Sequence, residues 1–147
     1  MAQVEDMTDW QPVADVDFET RSESVAAFAA ALAGKPAAVA SEPAQRVPAT
    51  FAFTVLSRPE VLRVLEGLAA DRDAVLVHQA QQFEYFAPLL PDSRYRAVID
   101  WHQVPERADR IVVRARLQDT DGAEVQRLRA EIVLFENRRD HEGAPSA

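Results

Sequence analysis

Apolar and polar positions alternate most regularly toward the C-terminal end of the chain. Ile111, Val113, Ala115 and Leu117 occupy every second position, with Arg114 and Arg116 between them, and Leu128, Ala130, Ile132 and Leu134 repeat the spacing. A period of two places each set on one face of a strand. Asp121-Gly122 between the runs predicts a hairpin with a two-residue turn. Upstream, Tyr95, Ala97, Ile99 and Trp101 alternate with Arg94, Arg96, Val98, Asp100 and His102, and residues 74 to 86 (AVLVHQAQQFEYF) form a further strand candidate. Together they predict one antiparallel sheet with a single apolar face.

The N-terminal half follows a different period. From Ser22, positions Val25, Phe28, Ala29 and Leu32 fit the i, i+3, i+4, i+7 rule of an amphipathic helix, with Ser22 as its cap and Gly34 and Pro36 as its stop. Residues 35 to 48 carry three prolines and read as a loop or lid. Pro59 starts a second helix, in which Val61, Leu62, Val64, Leu65 and Leu68 leave only Arg63 and Glu66 as a polar side. So apolar a helix is predicted to lie buried in the centre of the domain, against the sheet. The expected organisation is an irregular lead-in over 1–16, a single domain over 17–136 and a flexible tail over 137–147.

Composition narrows the function classes. The 147 residues suit one α+β domain, and the 48% hydrophobic content with 27% charged residues is that of an ordinary globular chain. The absence of cysteine removes disulfide, thiolate and cysteine-zinc chemistry and fits a cytoplasmic location. His78, His102 and His141 show no metal-ligand spacing, so no metal and no cofactor are expected. No stretch is long and apolar enough to span a membrane, and Glu5, Asp6 and Asp9 argue against a secretory signal. A net charge of −8 disfavours nucleic acid and anionic membranes as partners.

Three segments, VPATFAF (47–53), LVHQAQQFEYFAPLLPDSRY (76–95) and QDTDGAEVQRLRAEIVLF (118–135), carry a resemblance to the MaoC-like dehydratase family. The likeness is to its N-terminal half and to the non-catalytic subunits of two-part (3R)-hydroxyacyl dehydratases. It implies a hot-dog fold, in which an antiparallel sheet wraps a central apolar helix. It also implies handling of an acyl thioester carried on coenzyme A or an acyl carrier protein. In that family an Asp and a His, in a segment like GDxNPxH after the first helix, manage the proton and water of enoyl-thioester hydration. The corresponding stretch here, AGKPAAVASEPA (33–44), has Lys35 where the Asp is expected and no histidine, and Pro91-Asp92 replaces a Gly-Asp. Proton transfer needs a group that titrates near working pH placed at the reacting carbon, and this segment offers none. The resemblance therefore implies an accessory subunit, with the acid and base on a catalytic homologue; the partner it implies is that homologue or a second copy of the chain, in a dimer of hot-dog domains. The segment bearing Pro48, Thr50, Phe51 and Phe53 is expected to wall the acyl pocket.

Other candidates compete with this reading. His78 and Asp73 match an Asp-x4-His spacing, but on an extended strand they point to opposite faces about 17 Å apart. Asp100 and His102, two apart on an outward strand face, have the spacing of an orienting dyad. Glu66 on the second helix is the carboxylate a self-sufficient thioesterase would use, a self-sufficient dehydratase with a relocated catalytic pair is an equal form of that alternative, and a binding module for acyl or polyketide intermediates is a further one. With a two-residue turn, Arg116 stands opposite Arg127 and Arg114 opposite Arg129. Like charges so placed call for an anion, either Glu124 and Glu131 or an acidic partner, carrier protein or coenzyme A phosphate.

Overall fold

Five antiparallel strands form one sheet in the order β1-β3-β4-β5-β2 in a computed structural model that describes residues 9–34 and 46–137. The elements are β1 (Gln11–Glu19), α1 (Ser22–Leu32), a 3-10 segment Phe51–Ser57, α2 (Pro59–Asp71), β2 (Ala74–Tyr85), β3 (Arg94–Gln103), β4 (Arg110–Gln118) and β5 (Glu124–Glu136). Consecutive strands β3, β4 and β5 are neighbours, while β1 and β2 close the two edges. One face of this sheet is concave and holds the core. Ile99, Ile111, Leu117 and Leu128 are fully buried there, facing Val55 of the 3-10 segment and Val61 and Leu65 of α2. Each such side chain contributes about 1.5–3 kcal/mol by leaving water.

The hairpin pairs as its spacing predicts, with Arg114 opposite Arg129 and Arg116 opposite Arg127. Its turn differs. Gly122 takes a left-handed φ of 85°, its N–H bonds the Asp119 carbonyl, and the Asp119 N–H bonds Ala123, so the loop has three residues, not two. A register shift beside Leu117 and Gln118 absorbs the extra residue and restores the expected pairing.

Three further readings are corrected. Residues 11–16 are not an irregular lead-in: they belong to β1, which pairs with β3 from Gln11–Trp101 to Glu19–Arg94. An irregularity between Pro12 and Ala14 interrupts their alternation, which hid the strand. Ser22 does not cap α1. It is the first helical residue, and the cap comes from Asp92 in the β2–β3 connection, whose carboxylate accepts the Ser22 N–H at 2.9 Å and the Ser22 hydroxyl at 2.5 Å. These two bonds hold the Asp92 carboxyl below the usual carboxylate range. Finally, α2 is one-sided. Val61, Leu65 and Ala69 are buried, but Leu62 is 40% exposed, so the sheet covers one face of this helix in the single chain. Among the described residues, no helix is long and apolar enough to cross a membrane.

Candidate functional site

The concave side of β2 is built around a β-bulge. Between His78 and Ala80 the register with β5 shifts by one residue. Ala74, Leu76 and His78 upstream and Gln81, Phe83 and Tyr85 downstream therefore share the core-facing side, opposite Glu136, Leu134, Ile132, Ala130, Leu128 and Gln126 of β5 in that order. The chain from Val47 through the 3-10 segment crosses above this row. Phe53 packs its ring 5.5 Å from the His78 ring, and the Ala49 carbonyl accepts the Tyr85 hydroxyl at 2.9 Å and the Gln126 amide at 3.4 Å. Gln126 is 1% exposed, so this carbonyl satisfies a donor that would otherwise sit buried and unmet.

Beneath that crossing lies a mostly apolar pocket of about 390 Å³, walled by Pro48, Ala49, Tyr85, Phe86, Leu89 and Gln126 among others. Its size and its few convergent polar groups are those of a small-molecule site. A larger groove of about 790 Å³ runs between α1 and the 3-10 segment, past Phe28, Phe51, Thr54 and Arg58. The four residues expected to wall an acyl pocket are thus divided. Pro48 lines the apolar pocket, Phe51 the groove, Phe53 covers His78, and Thr50 is exposed between them. Tyr85 and Gln126 were missed because a Tyr and a Gln near strand ends carry no spacing signal.

The candidate acid-base groups do not meet. Glu66 points away from the core on the exposed side of α2. His78 lies on the concave face, while Asp73 sits in a left-handed turn ahead of β2, with φ 45°. Asp100 and His102 share the convex face, yet the Asp100 carboxylate does not serve His102. Both its oxygens accept from Arg114, at 2.9 and 2.6 Å, and Arg116 reaches it at 3.5 Å. His102 instead sets its ring edge-to-face on Trp10, 4.4 Å away, and its Nδ1 lies 3.0 Å from the Gln103 carbonyl. Lys35 and most of the 33–44 segment, like His141 and the tail beyond 137, lie outside the described residues.

The four hairpin arginines gather on the convex face, but that face supplies its own anions. Asp100, on the next strand, takes Arg114 and Arg116, and Glu124 takes Arg127 at 2.8 and 2.9 Å. The guanidinium carbon of Arg114 lies 3.8 Å from the Trp10 ring centre, and that of Arg129 lies 5.9 Å from it. Asp100 and Arg114 are 7% and 8% exposed, so the expected solvated polar face is a covered ion network at its centre. Arg114 is too deeply held for a docking partner to reach, which corrects its assignment to an anion-docking surface. Sequence spacing pairs residues within one hairpin and does not show that β3 delivers a carboxylate beside it. Among the described residues, no three His, Asp or Glu side chains gather closely enough to hold a metal ion.

No family model matches the chain, and no curated protein matches it. Solved structures do. The C-terminally truncated HadBC (3R-hydroxyacyl-ACP dehydratase) complex from Mycobacterium tuberculosis aligns with a TM-score of 0.61 at 24% identity, over 86% of this chain and 95% of that one. The probable thioesterase YbaW from Escherichia coli aligns at 0.58 and 10% identity, over 83% and 82% of the two chains. The unliganded R-hydratase PhaJ1 from Pseudomonas aeruginosa aligns at 0.51 and 13% identity, over 86% and 83%. Identities this low speak for architecture alone, and the architecture is the hot-dog fold.

Proposed function

With the hot-dog fold as premise, we propose that this chain is a non-catalytic subunit of an acyl-thioester hydratase or dehydratase. In this reading it joins its sheet to that of a homologous hot-dog domain and helps wall the acyl pocket, and the homologue carries the acid and base. The observation that carries this reading is the contrast between the two sheet edges. At β1, Pro12 offers no N–H, the pairing is irregular, and Asp15, Asp17 and Glu19 add charge. All three features discourage a further strand. At β2, twelve residues run without proline or cation, with Glu84 as the one charge, and Val75 and Tyr85 are each 52% exposed. A long, unguarded, apolar edge is a template for another strand. The pocket beneath Ala49 opens beside that edge, since Tyr85 and Phe86 wall it.

The 33–44 stretch, which holds no histidine, supports placing the proton chemistry elsewhere. The similarity of the fold to a 3R-hydroxyacyl-ACP dehydratase complex and to an R-hydratase supports the thioester as substrate class. The test is to purify the chain alone and together with a co-expressed hot-dog homologue that retains an Asp/His pair, and to follow hydration of an enoyl-CoA in both. Turnover is expected only in the pair. A lone chain that hydrates the substrate at the rate of the pair overturns the proposal, and tight acyl retention with no turnover in either sample favours a binding module instead.

A further inference from the structure

The pocket beneath Ala49 is walled mainly by hydrocarbon, from Val47, Pro48, Phe86 and Leu89 among others, yet two polar side chains reach it. Gln126 enters from β5 at 1% exposure and lines the cavity, so what surface it keeps is pocket surface. Leu128, two positions along the same face of β5, fills an equivalent place with hydrocarbon. A carboxamide in so dry a position is costly wherever its atoms go unmet, and an apolar side chain of similar size would wall the cavity without that cost.

The hydrogen-bonding valences here can be counted. A carbonyl oxygen has two lone pairs, and that of Ala49 accepts the Tyr85 hydroxyl at 2.9 Å and Gln126 Nε2 at 3.4 Å. The tyrosine proton and one amide proton are thereby committed. Left over are the lone pairs of Tyr85 Oη and Gln126 Oε1 and the second Nε2 proton, none with a partner among the described residues. A ligand keto group answers the proton alone, and a methylene answers nothing. A hydroxyl answers both kinds, because it donates to one oxygen and accepts from the amide. Water meets the same valences in an open pocket, and it is displaced without loss by a group that reproduces its bonds.

The cavity volume of about 390 Å³ takes on the order of ten heavy atoms at ordinary packing density. We propose that this pocket receives the outer part of an acyl chain that carries a hydroxyl along its apolar length, held between Gln126 and Tyr85; the proposal rests on the acyl-pocket reading above. That reading puts the acid and base on the homologue, so the hydroxyl held here is not the one made or lost at the reacting carbons. Its place is distal to the thioester. The pair thus acts in specificity: a site built to bond a hydroxyl rejects the analogue that lacks it, which an apolar wall does far less well.

The test is calorimetric titration of the full-length chain, alone and in complex with the homologue, with octanoyl-CoA and its 6-, 7- and 8-hydroxy derivatives. All four are saturated, so affinity is read without hydration. One hydroxylated probe is expected to bind about tenfold more tightly than octanoyl-CoA. That ratio is expected to fall to near one in Gln126→Leu and several-fold in Tyr85→Phe, with circular dichroism confirming each fold. Tyr85 is 52% exposed, so its variant keeps the test open should Gln126→Leu fail to fold. Equal affinities for all four probes, or a hydroxyl preference that the folded variants retain in full, overturn the proposal and leave the acyl pocket standing. No binding of any probe in either sample removes the acyl-pocket reading itself, and the proposal with it.

Discussion

Replacing Asp100 by Asn tests how the convex face is held together. The side chain keeps its shape but loses the charge that Arg114 grips through both oxygens and Arg116 approaches at 3.5 Å. Asp100 and Arg114 side chains are 9% and 10% exposed, so the arginine left behind stays in a poorly solvated place under the Trp10 ring. Removing one partner of a buried pair costs about 3–5 kcal/mol. Asn still accepts one hydrogen bond and Arg116 has some access to water, which puts the expected loss near the lower end, about 3 kcal/mol. For a chain of this size that lowers Tm by roughly 6–12 °C. Thermal unfolding followed by circular dichroism, with urea titration alongside, reads it directly. The internal control is Asp15→Asn. Its pair with Arg96 sits on side chains 50% and 57% exposed, and such pairs contribute about 0.2–1 kcal/mol. Equal losses in the two variants would refute the claim that burial, and not the mere presence of an ion pair, sets the energy. A second arm replaces both buried partners, Asp100→Leu with Arg114→Met, and is expected to recover most of the loss.

Three other outcomes follow from the geometry. The Asp92 carboxyl is held below its ordinary 3.8 by bonds that Ser22 donates, so its stabilising contribution is present at neutral pH and is lost as pH falls below that value; Asp92→Asn is expected to remove this part of the acid dependence of Tm. Gly122→Ala meets no neighbouring atom, so its left-handed φ alone sets a cost of about 1–2 kcal/mol, whereas Gly67→Ala, equally unobstructed but inside α2, is expected to stabilise by roughly 0.5–1 kcal/mol; urea midpoints that move in the same direction would contradict this. Leu65→Ala is expected to lose about 2–5 kcal/mol and Leu62→Ala under about 1 kcal/mol, since only the first lies on the buried face of α2; similar losses in urea unfolding would mean that the helix is packed on both sides.

How much was legible in the sequence depended on how local the determining contacts are. The 111–134 hairpin could be read because alternation and a Gly-bearing turn lie within one short stretch, and even its cross-strand arginine pairs came out correctly. Pro59 announced α2 because a missing N–H costs nothing at a helix start. β1 was hidden because its pairing with β3 reaches across some eighty positions and its own alternation is broken near Pro12. The site was less legible still. His78, Phe53, Ala49, Tyr85 and Gln126 come together through the crossing of one irregular segment over one edge strand, and no periodicity records that crossing. The Asp100 network escaped for a related reason: three strands and Trp10 build it, whereas the pattern of a hairpin shows two.

The unequal flanks of the sheet also limit growth. A molecule with one adhesive border and one sealed by Pro12 and carboxylates has a valence of one. A pair joined through β2, as proposed above, would present the sealed border outward at both ends. Raising the concentration would then fill such pairs without seeding a ribbon, because a strand apolar enough to nucleate fibrils would be used in a single finite contact.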